Sequence, residues 1–221
     1  MTLPRPSTPE GQAGLDALLA DPSHALVAAD FDGTLAPIVA RPRDARPLPG
    51  ALPALTELAG AVGTVAVITG RPAADAPDGT WVEDKEHAVA VHTRGTADPQ
   101  AALDRLREPL GELATRLGLA AEPGRFVIEL RPPGVDKGSA LSGLVREKTA
   151  RSVLFCGDDL GDLPAFAAVR ALRADGVPGC AVASASAESP QVAAAADLVV
   201  AGPEGVVELL TALAGRLRHH D

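Results

Sequence analysis

The 221-residue sequence predicts an α/β protein with a parallel sheet covered by helices on both faces. Three observations lead there. Short apolar runs, too short for helices, recur along the chain. Segments with apolar residues at helical spacing alternate with those runs. The core must be aliphatic, because 46% of residues are apolar but only four Phe and one Trp are present, with no Tyr.

The elements follow in order. Residues 1–10, rich in Pro, Ser and Thr, predict a flexible arm. Leu15, Leu18 and Leu19 have helical spacing, and Asp21-Pro22 ends that helix. Residues 25–29 form a buried strand, 49–58 a helix and 64–69 a second buried strand. Pro77 and Asp78-Gly79 punctuate a loop over 73–80. Residues 88–92 and 126–130 are strands. Between them, 99–117 is a helix with Leu103, Leu106, Leu110, Leu113 and Leu117 on one side. Residues 137–147 are a helix and 152–156 a buried strand. Helices at 164–173, 190–195 and 203–217 then alternate with strands at 177–183 and 197–200.

Composition narrows the function classes. The net charge of −9 argues against a nucleic-acid partner, which calls for clustered Lys and Arg. A small anionic substrate in one local pocket stays compatible. Seventeen of the 20 basic residues are Arg, so the three lysines, Lys85, Lys137 and Lys148, stand out. Cys156 and Cys180 have neither zinc-site nor disulfide-scaffold spacing. No apolar run reaches the roughly 20 residues of a bilayer span, and the N-terminus has no signal-peptide pattern. The expectation is a soluble cytoplasmic protein with no membrane partner; the oligomeric state stays open.

Parallel sheets gather their sites at the carboxyl ends of strands. Four such ends carry chemistry. Asp30-Phe31-Asp32-Gly33-Thr34-Leu35 follows the first strand, and Thr69-Gly70-Arg71 the second. Residues 131–138, ending Asp136-Lys137-Gly138, follow the strand at 126–130. Gly157-Asp158-Asp159-Leu160-Gly161-Asp162 follows the strand at 152–156. Singly, each has a plain reading as a turn, a helix cap or a solvated surface. Jointly they bring carboxylates, a hydroxyl and a cation to one edge. Carboxylates suit a hard cation, Mg²⁺ foremost. Such a cation with Lys137 neutralises a phosphate dianion, and Thr69 with backbone N–H groups holds its remaining oxygens. One carboxylate can then attack phosphorus while a second moves protons.

At these residues the chain resembles the haloacid-dehalogenase superfamily of phosphotransferases, whose four motifs appear in order. Asp30 to Ile38 is similar to the first motif of trehalose-6-phosphate phosphatases, and Thr69-Gly70-Arg71 to the second. Val82-Glu83-Asp84-Lys85 with Val91-His92-Thr93-Arg94 resembles that family's cap signature. Glu129-Leu130-Arg131-Pro132 with Asp136-Lys137-Gly138 resembles the third motif, and Gly157-Asp158-Asp159 with Asp162 the fourth. The resemblance covers roughly residues 24–215. It implies a Rossmann-like parallel-sheet core over 15–72 and 132–217, with a small inserted α+β cap over 80–131.

The resemblance also implies roles. Asp30 becomes the nucleophile and Asp32 the general acid/base. Thr69 and Lys137 bind the phosphoryl group. Asp30, the Asp32 carbonyl and Asp158 hold Mg²⁺, with Asp159 or Asp162 in support. Gly33, Thr34, Gly70 and Arg71, within the first two motifs, become substrate-binding candidates. Glu83, Lys85, His92, Arg94, Glu129 and Arg131 become candidates for sugar contacts or for cap support. The implied reaction is Mg²⁺-dependent hydrolysis of trehalose 6-phosphate through an aspartyl-phosphate. Another sugar phosphate is the main alternative substrate.

The sequence departs from the family in one segment. Only nine residues, Pro72 to Thr80, separate Arg71 from Trp81, where such phosphatases carry some tens of residues. The segment lost would remove an edge strand, not a central one. Two rival classes follow. A catalytically weak regulatory domain is compatible with the shortening, although every ionisable catalytic position is intact. A response-regulator receiver also combines Asp, Thr, Lys and an acidic pair. Its acidic pair normally precedes the phospho-accepting Asp, however, whereas Asp158-Asp159 follows Asp30.

Overall fold

Five residues of uninterrupted Ala, Leu and Val form an inner strand of the larger sheet. The computed structural model describes residues 3–39, 44–69, 81–84, 89–93, 96–124, 126–131, 136–185 and 190–218. In it β1 (Ala25–Ala29) is buried along its whole length. It pairs in parallel with β2 (Thr64–Val67) on one side and β7 (Ser152–Gly157) on the other. The sheet continues through β8 (Gly179–Ser184) to β9 (Leu198–Val200), all parallel. β7 and β8 are also wholly buried. Near-continuous apolar strands are what a sheet covered on both faces requires.

Alternation divides the strand residues between two layers. Val27, Ala29, Leu154, Cys156, Cys180 and Val182 face one way. They pack with Leu15 and Leu18 of α1 (Pro9–Ala20), Leu58 of α2 (Ala51–Ala59), and Leu210 and Leu213 of α7 (Gly202–Leu217). Leu26, Ala28, Val153, Phe155, Ala181 and Ala183 face the other way. Their partners are Leu141 and Val145 of α4 (Lys137–Glu147), Phe166 and Val169 of α5 (Leu163–Ala174), and Val192 of α6 (Pro190–Ala195). Phe155 and Phe166 meet edge to face, 6.0 Å between centroids. The fold is thus a Rossmann-like α/β core.

The chain divides into two compact units, Met1–Val39, Ala45–Thr69 and Asp136–Asp221 forming the first, and Ala40–Asp44 with Gly70–Val135 the second. The second holds an antiparallel sheet of β3 (Trp81–Asp84), β4 (Val89–His92), β6 (Val127–Arg131) and β5 (Ala120–Gly124), in that spatial order. The helix α3 (Pro99–Leu117) covers it through a small core of Leu103, Ala114, Ile128 and Leu130. Asp98 caps α3 through the Ala101 N–H, and Gly118 ends it in the left-handed region.

Three sequence expectations change. Residues 1–10 are not a loose arm throughout: Thr8 caps α1, which starts at Pro9, and Leu3 packs against the first core layer. The second strand is not buried but lies at the edge of the described sheet, with Val67 46% exposed. Leu117, assigned to the apolar side of α3, is 61% exposed, because the helix ends one turn beyond its last buried contact, Ala114.

What ties the first residues down is a partner 189 positions away. The Thr8 hydroxyl donates to Asp197 Oδ1 at 2.6 Å, and Ser7 donates through both N–H and hydroxyl to the Asp197 carbonyl. Asp197 Oδ2 accepts the Ala181 N–H at 2.8 Å and pairs with Arg173 of α5. This carboxylate therefore joins α1, α5 and β8. Removing one member of a buried, hydrogen-bonded pair leaves an uncompensated charge. Asp197→Ala is expected to lower unfolding stability by about 3 kcal/mol, and Thr8→Ala by about 1 kcal/mol, in urea titrations. A loss below about 1 kcal/mol for Asp197→Ala would show that the network is dispensable.

Candidate active site

The site is built from groups that follow two adjacent central strands and open one helix. Asp30 follows β1, and its N–H continues the ladder by donating to the Cys156 carbonyl at 2.9 Å. Asp158 follows β7, the neighbouring strand. Lys137 is the first residue of α4, fixed there by a capping box in which Asp136 accepts the Ser139 N–H at 2.7 Å. A cation at a helix N-terminus opposes the helix dipole. It is held there by two carboxylates: Lys137 Nζ lies 2.9 Å from Asp30 Oδ1 and 2.7 Å from Asp162 Oδ1.

Asp162 is completely buried. Besides Lys137 it accepts the N–H groups of Asp158 at 2.8 Å and Asp159 at 3.2 Å on Oδ2. One of its oxygens is thus committed to Lys137 and the other to the loop after β7. Asp159, exposed, caps the 3₁₀ turn Leu160–Asp162 by accepting the Gly161 N–H at 2.8 Å. A side chain at Gly157 would run into the Asp162 carboxylate, so the close approach of this loop requires glycine.

The loop after β1 closes on itself. Leu35 and Ala36 N–H groups both donate to the Phe31 carbonyl at 2.9 Å, and the Gly33 N–H donates to the Ala36 carbonyl at 2.8 Å. Gly33 has φ +70°, and a Cβ there would strike the Asp158 carboxylate. The Thr34 hydroxyl, wholly buried, points to Asp158 Oδ1 at 3.4 Å. The Gly33 carbonyl accepts the hydroxyl of Ser184, at the end of β8, at 2.6 Å. Both backbone groups of Gly33 and the side chain of Thr34 are engaged inside the protein, where they frame the acidic cluster.

Among the described residues, carboxylate oxygens of Asp30, Asp158 and Asp162 lie within 4.8 Å of one another. Three hard oxygen donors converging at this spacing, all buried, fit a divalent cation. Without one, the cluster holds protons. Burial, then the Asp162 carboxylate, outweighs Lys137 and pushes Asp30 up to about 7. Burial, then the charges of Asp159, Asp162 and Asp30, pushes Asp158 up to about 9. Lys137 behaves oppositely: burial alone would lower it, but Asp162 and Asp30 raise it, so it remains a cation.

Of the other expected residues, Asp32 is half-buried within the closed loop and Thr69 is exposed just beyond β2. Gly70, Arg71, Lys85 and Arg94 lie outside the described residues. Positions 83, 92, 129 and 131 lie on β3, β4 and β6, where the register places Glu83 opposite Ala90, Ala90 opposite Glu129, and His92 opposite Val127. By alternation these four positions share one sheet face, opposite to that of Ile128 and Leu130, which pack beneath α3. The fold does not use that face for the α3 core. Ser184 had no signal in the sequence beyond its place after an apolar run.

The buried acids yield a sign for pH dependence. A carboxyl whose folded value is raised holds its proton better in the folded state than in the unfolded one. That contribution is complete below the unfolded value and is lost as pH rises through about 7 for Asp30 and about 9 for Asp158. Cation-free protein is therefore expected to lose stability steadily from about pH 5 to about pH 9, and a divalent cation to restore it at the upper end. Denaturant midpoints with chelator and with added cation check this. A chelated protein more stable at about pH 9 than at about pH 5 would contradict the assignment of proton-holding acids.

Comparison with known proteins agrees with this geometry. The family model for trehalose-phosphatase matches residues 73–204. A trehalose-phosphate phosphatase of Mycobacterium avium is 32% identical over 220 residues, covering 70% of this chain and 54% of that protein. An alignment of that length covering only that share of the chain means that the relative carries residues without counterpart here. A Mycobacterium tuberculosis protein named an uncharacterized glycosyl hydrolase is 34% identical over 64% of this chain and 15% of its own length. The chain thus spans about half, or much less, of the curated relatives it matches. The solved C-terminal domain of Candida albicans trehalose-6-phosphate phosphatase shares the fold, with TM-score 0.76 and 20% identity over 97% of this chain and 99% of that one. With its family model matching well over half of its residues, the chain belongs to the trehalose-phosphatase family.

Proposed function

We propose that this chain is a Mg²⁺-dependent phosphatase that hydrolyses trehalose 6-phosphate to trehalose and phosphate through an aspartyl-phosphate at Asp30. One observation carries the reading: a buried carboxylate at the end of an inner strand, paired at 2.9 Å with a half-buried ammonium and beside two further buried acids. Such an arrangement is costly to fold, and ionisable groups shifted in this way cluster at functional sites.

In this reading Asp30 attacks phosphorus, the Asp30 oxygen–phosphorus bond forms and the bond to the sugar oxygen breaks. Asp32 gives its proton to that oxygen, so trehalose leaves as an alcohol. Asp32, now a carboxylate, takes a proton from water, which attacks phosphorus and breaks the bond to Asp30. Phosphate leaves, and Asp30 and Asp32 return to their starting states. Lys137 keeps positive charge against Asp30 throughout and against the transferring oxygens. The Thr69 hydroxyl donates to one of those oxygens. Asp30, Asp158 and the Asp32 carbonyl would hold the cation, with Asp162 and Asp159 fixing the loop behind it. When bound, Mg²⁺ supplies the positive charge that lets Asp30 ionise beside other acids and that offsets phosphate charge.

Glu83, His92, Glu129 and Arg131 are proposed for the sugar, supported by their common sheet face away from the α3 core. A cytoplasmic location belongs to the same reading and is supported by two buried free thiols. No helix among the described residues is long and apolar enough to cross a membrane.

A family of sugar phosphates as substrates is a second reading, favoured by the residues that the relatives carry and this chain lacks. Contacts to the non-reacting part of a substrate lower the barrier at the reacting centre. A chain with fewer such contacts is expected to discriminate weakly. The preference in kcat/KM for trehalose 6-phosphate over glucose 6-phosphate is expected to stay within about tenfold, as assayed across a sugar-phosphate panel. Strong discrimination would show that the remaining residues suffice for recognition.

The central test is Asp30→Asn. It is expected to lower turnover of every phosphomonoester by more than about a thousandfold while the fold persists, since a covalent nucleophile has no substitute. Turnover near the wild-type rate in that variant sinks the proposed mechanism.

A further inference from the structure

We propose that Ser184 is a positioning residue for the acid/base Asp32, a role resting on the phosphatase reading above. Ser184 ends β8, one strand beyond the strand that leads into Asp158, and is 2% exposed. Its hydroxyl donates at 2.6 Å to the carbonyl of Gly33, the residue next to Asp32. The Gly33 N–H belongs to the peptide whose carbonyl is that of Asp32, and it donates to Ala36 at 2.8 Å. Gly33 is thereby pinned through both peptides, at a φ of +70° and against the Asp158 carboxylate. The backbone just after Asp32 consequently has its direction set by Ser184 on one side and by the closed loop on the other.

The nucleophile does not share this dependence. Asp30 is anchored by the Cys156 carbonyl and by Lys137, at 2.9 Å each. Loss of the Ser184 hydroxyl would leave the Gly33 carbonyl buried without its donor, and the loop would shift to find another. A shift of the loop moves both the Asp32 side chain and the Asp32 carbonyl relative to a fixed Asp30; an effect through the carbonyl on the cation falls on every substrate, whereas an effect through the side chain depends on the leaving group. The two carboxylates are therefore separable by experiment.

Leaving-group chemistry separates them. Expulsion of a sugar alkoxide needs a proton from Asp32, whereas 4-nitrophenolate leaves without one. The value of kcat/KM reports steps up to the first phosphoryl transfer only. Ser184→Ala is expected to lower kcat/KM for trehalose 6-phosphate by about tenfold more than that for 4-nitrophenyl phosphate, whatever loss the two share. The ratio of the two does not depend on how much of the preparation is folded, so a purely structural role would leave it unchanged. Ser184→Cys, with a similar shape and a weaker donor, should change the ratio in the same direction by less. Asp32→Asn, run alongside, should change it by about a hundredfold. Equal losses on both substrates in the Ser184 variants, with Asp32→Asn discriminating, would overturn the role of Ser184 and leave the phosphatase reading standing. Equal losses in Asp32→Asn, or no turnover by the unaltered protein, would overturn that reading and the role of Ser184 with it.

Discussion

The head of the sheet depends on one half-buried cation. Lys137 Nζ sits between Asp30 and Asp162, 2.9 and 2.7 Å away, in a pocket of acids that would otherwise repel one another. Its position against the dipole of α4 is unfavourable in isolation. The two carboxylates reverse that sign, and their attraction is strong because little water screens it. The same three groups span β1, the loop after β7 and the start of α4. One ion-pair triad thus joins pieces of chain that are over a hundred residues apart.

The sheet makes that meeting possible. β1 and β7 are adjacent and parallel, so the residues after them emerge at the same edge. Three layers of contact then keep the loops in place. Asp162 holds the amides of Asp158 and Asp159. Thr34 and Gly33 press the first loop onto Asp158. Ser184 ties that loop to β8. The acids that do chemistry in the proposed mechanism are therefore backed by residues that do none, which is how a site reaches working precision without mobile parts.

Much of this was legible in the sequence, for a physical reason. Apolar runs at 25–29 and 153–156, too short for helices, read as strands buried on both faces, and the acids after them then lie at a sheet edge. What was not legible depended on distant partners. Nothing near Ser7 and Thr8 announces Asp197, so the first residues read as a loose arm. Nothing near Ser184 announces Gly33. Asp162 read as one acid among several, because a sequence does not show that both its oxygens are already taken. β3 and β5 escaped notice because their residues, Trp81-Val-Glu-Asp84 and Ala120-Ala-Glu-Pro-Gly124, are short and mixed in polarity, and Pro123 belongs at an edge, where β5 lies. Thr64–Val67 read as buried because its apolar content reflects packing on neighbours, and the sequence does not reveal that no described strand covers its outer side.

The account stands on a covalent bond between Asp30 and phosphorus. Its most direct measurement is rapid acid quenching of the protein during turnover of trehalose 6-phosphate with Mg²⁺, followed by proteolysis and mass spectrometry. The account predicts one added phosphoryl group on the peptide containing Asp30, located to that residue and lost on treatment with neutral hydroxylamine. Phosphate released in the same mixtures while no phosphorylated Asp30 forms at any quench time, or a phosphoryl group found on another residue, would contradict it.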